Sequence, residues 1–303
     1  MNNIKRRGYG AEIDAQSRLT GVIGYPLSHA LSPLINNVAL ARMGLNWVYL
    51  PLRVAPGMLR VALAGLKALG YVGVNITIPH KLEACRLADE LAGDAAVTGS
   101  VNTLKIDPDA GRITGYSTDG AGFLRSLEDA VGEVPEGSLF IIGAGGAARA
   151  VAYALAATGR IESVRVCNRT LEKAEELASL LMQVPGVKET RWLGLGPAGL
   201  TEAGGASIIV NTLPASEVDI AGMAKPGSFT PGQVVCDLDY LQERSAFLRL
   251  AEEAGSAVMN GRGMLVHQAA ESLRIWTGME PPVEAMRTAL EEYLAGAAEE
   301  RTA

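Results

Sequence analysis

From Leu19 onward, short runs of β-branched and other apolar residues alternate with longer stretches whose apolar positions recur every three or four residues. The first pattern fits strands and the second amphipathic helices. "LTGVIG" (19–24), "NWVYLPL" (46–52) and "YVGVNITI" (71–78) read as strands. A helix is expected from Ser32, with Ser32 as its N-cap and Pro33 in its first turn, and another over Met58–Leu69. A third is expected from about Pro79 to Leu91, then two short extended runs around "VNTLKI" (101–106) and "GRITGY" (111–116). After a helix at about 120–131, "SLFIIG" (138–143) opens a second series. Its helices fall at 147–158, 171–182 and 244–254. Its strands fall at "SVRVCN" (163–168), near Arg191, and at "ASIIVN" (206–211), "QVVCDL" (233–238) and "SAVMN" (256–260). Two amphipathic helices follow between about Gly263 and Ala298, broken by Gly278 and Pro281-Pro282. Residues 1–17 are polar and aperiodic, and read as a loose extension. Strands alternating with helices predict parallel sheets with right-handed crossovers, here in two α/β domains that divide near 115–120.

Composition narrows the function classes. In 303 residues, 48% hydrophobic and 20% charged positions are enough to supply packed cores and exclude wholesale disorder. Lys and Arg number 27 against 33 acidic residues, a net charge of −6, and aromatics are only 5%, which argues against a nucleic-acid partner. Cys85, Cys167 and Cys236 lie far apart, as do His29, His80 and His267; no metal site is expected, and these imidazoles read as incidental. No run of about 18 apolar residues is present. The basic Lys5-Arg6-Arg7 is not followed by an apolar stretch, so no signal peptide or membrane partner is expected, and a cytoplasmic location is.

The sharpest local pattern is "LFIIGAGGAARAV" (139–151), a strand running into Gly143-Ala144-Gly145-Gly146-Ala147 and at once into helical residues. The first glycine permits a tight turn, and the second lets backbone approach a pyrophosphate. The helix N-terminus then presents free N–H groups to the phosphates. The next strand ends 22 residues after Gly146 at Asn168, where an NAD-preferring protein would carry a carboxylate for the ribose hydroxyls. Asn168, Arg169, Thr170 and Lys173 instead offer a neutral side chain and two cations. Cations at a helix N-terminus oppose the helix dipole unless an anion sits there, so the cofactor expected is NADP, held through its 2′-phosphate.

Four polar segments sit at strand ends: "YPLSHALSP" (25–33), "NITIPHK" (75–81), "GSVNTL" (99–104) and "GYSTDGAGF" (115–123). With "GAGGAAR" (143–149), "NRT" (168–170) and "GRGMLVHQAAESLRIWTG" (261–278), they resemble the shikimate dehydrogenase family, from about residue 20 to 298 and in the family's order. The resemblance implies an N-terminal substrate domain over 18–118, completed by 261–303, and a Rossmann-type NADP-binding domain over 119–260. The C-terminal helices would return to the first domain, with a catalytic cleft between the two. It also implies interconversion of 3-dehydroshikimate and shikimate, in the biosynthesis of chorismate and the aromatic amino acids.

Lys81 and Asp119 match the family's catalytic pair. Ketone reduction leaves an alkoxide that must be protonated, and a lysine oriented by a carboxylate can move that proton. Read from the residues alone, Asp119 also fits an N-cap for the following helix. By resemblance Ser32, Asn75, Thr77, Asn102, Tyr240 and Gln268 bind a small cyclic hydroxy-carboxylate, and Gly261 joins the cofactor contacts. Departures fall at Ala30, where the family has a serine hydroxyl for the substrate carboxylate, and at Ser117, where it has Asn. The segments at 240–245 and 211–214 also differ from the family pattern. A paralogue acting on quinate or aminoshikimate, and a non-catalytic NADP(H) sensor, are compatible with the same motifs; a monomer or homodimer is expected.

Overall fold

Two six-stranded sheets organise the chain, one in each of two compact units. The computed structural model describes residues 13–214 and 218–302. Of the described residues, the first unit takes those up to 92, 101–116 and those from 269 onward; the second takes those in 93–100 and 117–268. The division differs in detail from the sequence expectation, since 93–100, 117–118 and 261–268 group with the second unit.

In the first unit, β1 (Arg18–Gly24), β2 (Trp47–Arg53) and β3 (Gly73–Ile76) are joined by β4 (Glu90–Leu91), β5 (Thr103–Ile106) and β6 (Ile113–Tyr116) in the order β2-β1-β3-β5-β6-β4. β1 pairs parallel with β2 and β3, but β5 runs antiparallel to both β3 and β6. The all-parallel expectation therefore fails here. Six residues (107–112) join β5 to β6, too few for a crossover, and Asp107 folds them into a turn by accepting the N–H groups of Asp109 and Ala110.

Helices α1 (Ser32–Arg42), α2 (Leu59–Ala68) and α3 (Lys81–Leu87) follow β1, β2 and β3. The helix expected to reach Leu91 stops at Leu87. The carboxylate of Asp89 accepts the N–H of Ile113 at 2.7 Å, and Glu90–Leu91 pair with β6, so tertiary pairing overrides helix-forming composition. The cap of α1 lies one residue earlier than expected, at Leu31, and no side chain caps it. Of the expected N-terminal extension, residues 1–12 lie outside the described residues, and 13–17 are not loose: Asp14 and Ser17 close a turn held by Asn46.

The second unit opens with α4 (Asp94–Thr98) and α5 (Asp119–Val131). Its sheet comprises β7 (Gly137–Ile142), β8 (Ile161–Asn168), β9 (Glu189–Gly194), β10 (Ile208–Asn211), β11 (Val234–Asp237) and β12 (Ala257–Asn260). The order is β12-β11-β10-β7-β8-β9 with every pair parallel. Successive residues of β7 face opposite sides. Leu139 and Ile141 pack under α5, α6 (Gly146–Ala157) and α7 (Leu171–Leu181), whereas Phe140 and Ile142 pack under the other layer. That layer comprises α8 (Pro197–Thr201), α9 (Ile220–Met223) and α10 (Ala246–Glu253).

Helix α11 (Arg262–Thr277) begins in the second unit and continues, after Gln268, in the first. There the Trp276 indole donates to Leu104 O at 3.0 Å and lies against Gly73, where any side chain would collide with the ring. Helix α12 (Val283–Thr302) packs its buried Met286 and Leu290 in the same unit, against α1. No described helix is long and apolar enough to cross a membrane.

Candidate functional site

The glycine turn between β7 and α6 has two kinds of glycine. Gly143 has φ +108°, and a side chain there would strike Thr212, whose hydroxyl donates to Ile142 O at 2.8 Å. Its glycine is demanded by the protein itself. Gly145 has φ −81°, open to any residue, and a Cβ added there meets no protein atom within 4 Å. Nothing in the protein requires that glycine, but a phosphate approaching the backbone would. Helix α6 then starts without a side-chain cap, leaving first-turn N–H groups for an anion.

Facing this turn in the second unit is the end of β8. Asn168 donates its amide to Thr170 O at 2.9 Å, shaping the bend into α7, which also lacks a side-chain cap. Ala144, Gly145, Asn168, Arg169, Thr170 and Lys173 line one open cleft. The side chains of Arg169 and Lys173 make no ion pair or hydrogen bond among the described residues. Leu195, Leu213 and Val218 complete the lining, and sequence reasoning missed them. They follow strands or sit in loops, and their apolar type carries no chemical mark. The donor set fits a dinucleotide with an extra phosphate: backbone N–H groups for the pyrophosphate, and two uncommitted cations with no carboxylate at Asn168.

In the first unit, polar residues gather at the carboxyl ends of β1 and β3. Thr77 donates its N–H to Ile23 O and sits over Gly24, where a Cβ would hit the threonine methyl. A turn from Thr77 to His80 then delivers Lys81 as the first residue of α3. His80 is not incidental. It is buried, and its Nε2 lies 2.8 Å from Val54 O; a carbonyl only accepts, so Nε2 carries the proton and pins the turn.

Asn75 is committed within the unit. Its carbonyl accepts from Tyr49, and its amide lies within hydrogen-bonding distance of Asn102 O, Thr103 Oγ1 and Ser272 Oγ, all at 2.7–3.1 Å. It builds the floor on which Thr77 and Asn102 stand rather than offering its amide outward. Burial drives the Tyr49 phenol far above its ordinary pKa, opposed by a hydrogen bond with Ser32, so that hydroxyl is tied to Tyr49. Sequence reasoning missed Tyr49 and Ser272, which read as ordinary core and helix residues.

The second unit holds the remaining candidates. Asp119 is the first residue of α5, buried, with Thr118 in the cap position; it is not itself the N-cap. Thr118 Oγ1 donates to Gln268 O at 3.0 Å, and Gly122 lets that stretch approach, since a Cβ there would lie 2.6 Å from Gln268 N. The Gln268 amide donates to Leu265 O. Tyr240 follows β11 in a loop built by Asp237 and Asp239, which accept the N–H groups of Asp239 and Leu241. Burial raises the Tyr240 phenol, and Asp239 adds to the shift. Gly261 donates its N–H to Asp239 O, and any side chain on it would run into Leu238 O, so packing alone accounts for that glycine. Ser117 keeps a buried hydroxyl without a hydrogen-bond partner. Among the described residues, no cluster of His, Cys, Asp and Glu could hold a metal ion.

A parallel sheet whose strands run outward from β7 in both directions, with a glycine turn at the end of β7, defines a dinucleotide-binding α/β unit of the Rossmann type. Family models place it further. "Shikimate dehydrogenase substrate binding domain" matches residues 22–104, "Shikimate / quinate 5-dehydrogenase" residues 126–190, and "Shikimate 5'-dehydrogenase C-terminal domain" residues 261–291. The NADP(+) shikimate dehydrogenase of Methanocaldococcus jannaschii is 39% identical over 92% of this chain and 98% of its own. That of Methanopyrus kandleri is 42% identical over 93% and 98%. A crystal structure of a shikimate dehydrogenase in complex with NADP+ superposes with a TM-score of 0.84 at 38% identity, covering 94% of this chain and 98% of that one. The chain belongs to the shikimate dehydrogenase family.

Proposed function

We propose that the protein is an NADP-dependent oxidoreductase interconverting 3-dehydroshikimate and shikimate. The observation that carries the cofactor half is the pair of uncommitted cations, Arg169 and Lys173, beside a glycine whose only apparent client is a ligand. Gly143 to Ala147 would hold the pyrophosphate, and Asn168, Arg169, Thr170 and Lys173 the phosphorylated ribose. When bound, NADP supplies the hydride acceptor or donor. Everything else falls to this chain's residues. Lys81, as the neutral amine, takes the substrate hydroxyl's proton during oxidation and, as the ammonium, returns it during reduction, and Asp119 orients both the lysine nitrogen and that hydroxyl. Ser32, Thr77, Asn102, Tyr240 and Gln268 meet the remaining polar groups of a cyclic hydroxy-carboxylate, because each hydroxyl left unmatched on desolvation weakens binding. Asn75 supports them from beneath. Expected surroundings are the cytoplasm, with no nucleic-acid partner, as a monomer or homodimer.

Quinate is the second reading. Ala30 removes a hydroxyl expected at the substrate carboxylate, and one matching family description names both substrates. Absorbance at the nicotinamide wavelength, with shikimate or quinate and NADP+ or NAD+, decides between them. Reduction chiefly with shikimate and NADP+ is expected. Reduction chiefly with quinate overturns the substrate assignment, and binding of NADP+ without turnover on either acid makes the protein a sensor.

A further inference from the structure

The geometry points to Arg149 as a positioning residue for cofactor choice, acting through Glu176. This inference rests on the assignment of Arg169 and Lys173 to the 2′-phosphate. Arg149 is the fourth residue of α6, and its Nη2 donates to Glu176 Oε2 of α7 at 2.9 Å. Glu176 lies three residues after Lys173 on α7, the spacing at which a lysine and a glutamate on one helix pair with each other. Lys173 makes no such pair. The partner that the helix itself offers Lys173 is already held by Arg149.

A second observation bears on what the guanidinium does besides joining two helices. Its side chain is only 15% exposed, yet its Nε is buried with no hydrogen-bond partner. A buried, unmatched donor is a cost that a purely structural residue has no reason to carry. What the charge provides is neutralisation. The first half of α7 carries Glu172, Glu175 and Glu176 around Lys173, and an unscreened Glu176 would both repel a phosphate dianion and draw Lys173 away from it. Arg149 neutralises one of these opponents, Glu176, without itself lining the cleft.

The test is calorimetric titration of the full chain with NADP+, NAD+, 2′-AMP and 5′-AMP, which reads binding without turnover. Arg149→Ala should weaken NADP+ and 2′-AMP by about fivefold, and NAD+ and 5′-AMP by less than about twofold. Adding Glu176→Gln should restore most of the loss, and Arg149→Lys should retain selectivity. Equal losses for all four ligands, or no rescue in the double variant, overturn the inference. If Arg149→Ala does not fold, Glu176→Gln in the otherwise wild-type chain remains decisive: it should leave NADP+ affinity unchanged or improved, and a loss overturns the idea. Arg169→Ala is the control for the underlying assignment. If it leaves the NADP+/NAD+ ratio unchanged, the 2′-phosphate lies elsewhere and both readings fall; if it lowers the ratio while Arg149→Ala does not, only this one does.

Discussion

The two polar regions of the molecule are built on opposite plans. Around the β7–α6 turn, the atoms facing the cleft are left over: uncapped helix starts, a glycine open to solvent, and two cations without partners. In the first unit almost nothing is left over. Asn75 has polar neighbours in Tyr49, Asn102, Thr103 and Ser272, and His80 is fastened to Val54. A site for a phosphate-rich ligand can be largely backbone and charge, because anions are satisfied by N–H groups and long cations. A site for a small ring with several hydroxyls must hold each contact still, and the supporting shell absorbs as many polar groups as the ring itself would.

That contrast breaks most sharply at the proposed catalytic pair. Lys81→Ala should lower turnover by about 100-fold or more, with a much smaller change in KM, and Asp119→Asn should follow it. Steady-state kinetics on the best substrate checks this; unchanged turnover would remove Lys81 from the chemistry. Next in size is Asn75→Ala, which orphans buried partners and should cost about 2–3 kcal/mol of stability. Denaturation curves should register it; normal stability with a raised KM would instead place Asn75 in contact with substrate.

Gly145→Ala sharpens the other side. Because a methyl there meets no protein atom, stability should hold while NADP+ and NAD+ both weaken by about tenfold. A fall in melting temperature would show that the turn, not a ligand, needs this glycine. The smallest expected effect is from Ala30→Ser. Restoring a hydroxyl near the substrate carboxylate should lower KM for shikimate by up to about tenfold and leave turnover alone. A rise in KM would mean that another group, with Ser117 the first candidate, already occupies that role.

The same contrast explains what was legible in the sequence. The glycine turn was readable because its chemistry is local: strand, glycines and helix are contiguous, and Arg169 and Lys173 stand within one turn of the next strand's end. Asn75 was not. A polar residue in an apolar strand reads as a ligand contact, while its partners Tyr49, Thr103 and Ser272 lie 26, 28 and 197 residues away. The overlong third helix failed for a similar reason, since Ala88 to Leu91 suit a helix until β6 arrives to pair with them. The antiparallel β5–β6 pair was hidden by the regular alternation around it, although the six residues between the strands leave no room for a crossover.

The chain's path also sets an order of assembly. Residues 117–268 reach the ribosome's exit as one stretch that, with 93–100, contains the whole second unit, whereas the first unit waits for residues from 269 onward. Until those emerge, Asn75 and Thr103 lack Ser272, Gly73 faces no indole, and the apolar side of α1 has no α12 to cover it. Nascent proteins ordinarily complete their N-terminal domain first. Here that order is inverted: the strands of the first unit, all made by residue 116, keep uncovered faces until residues from 269 onward emerge, after the whole of the second unit has been made.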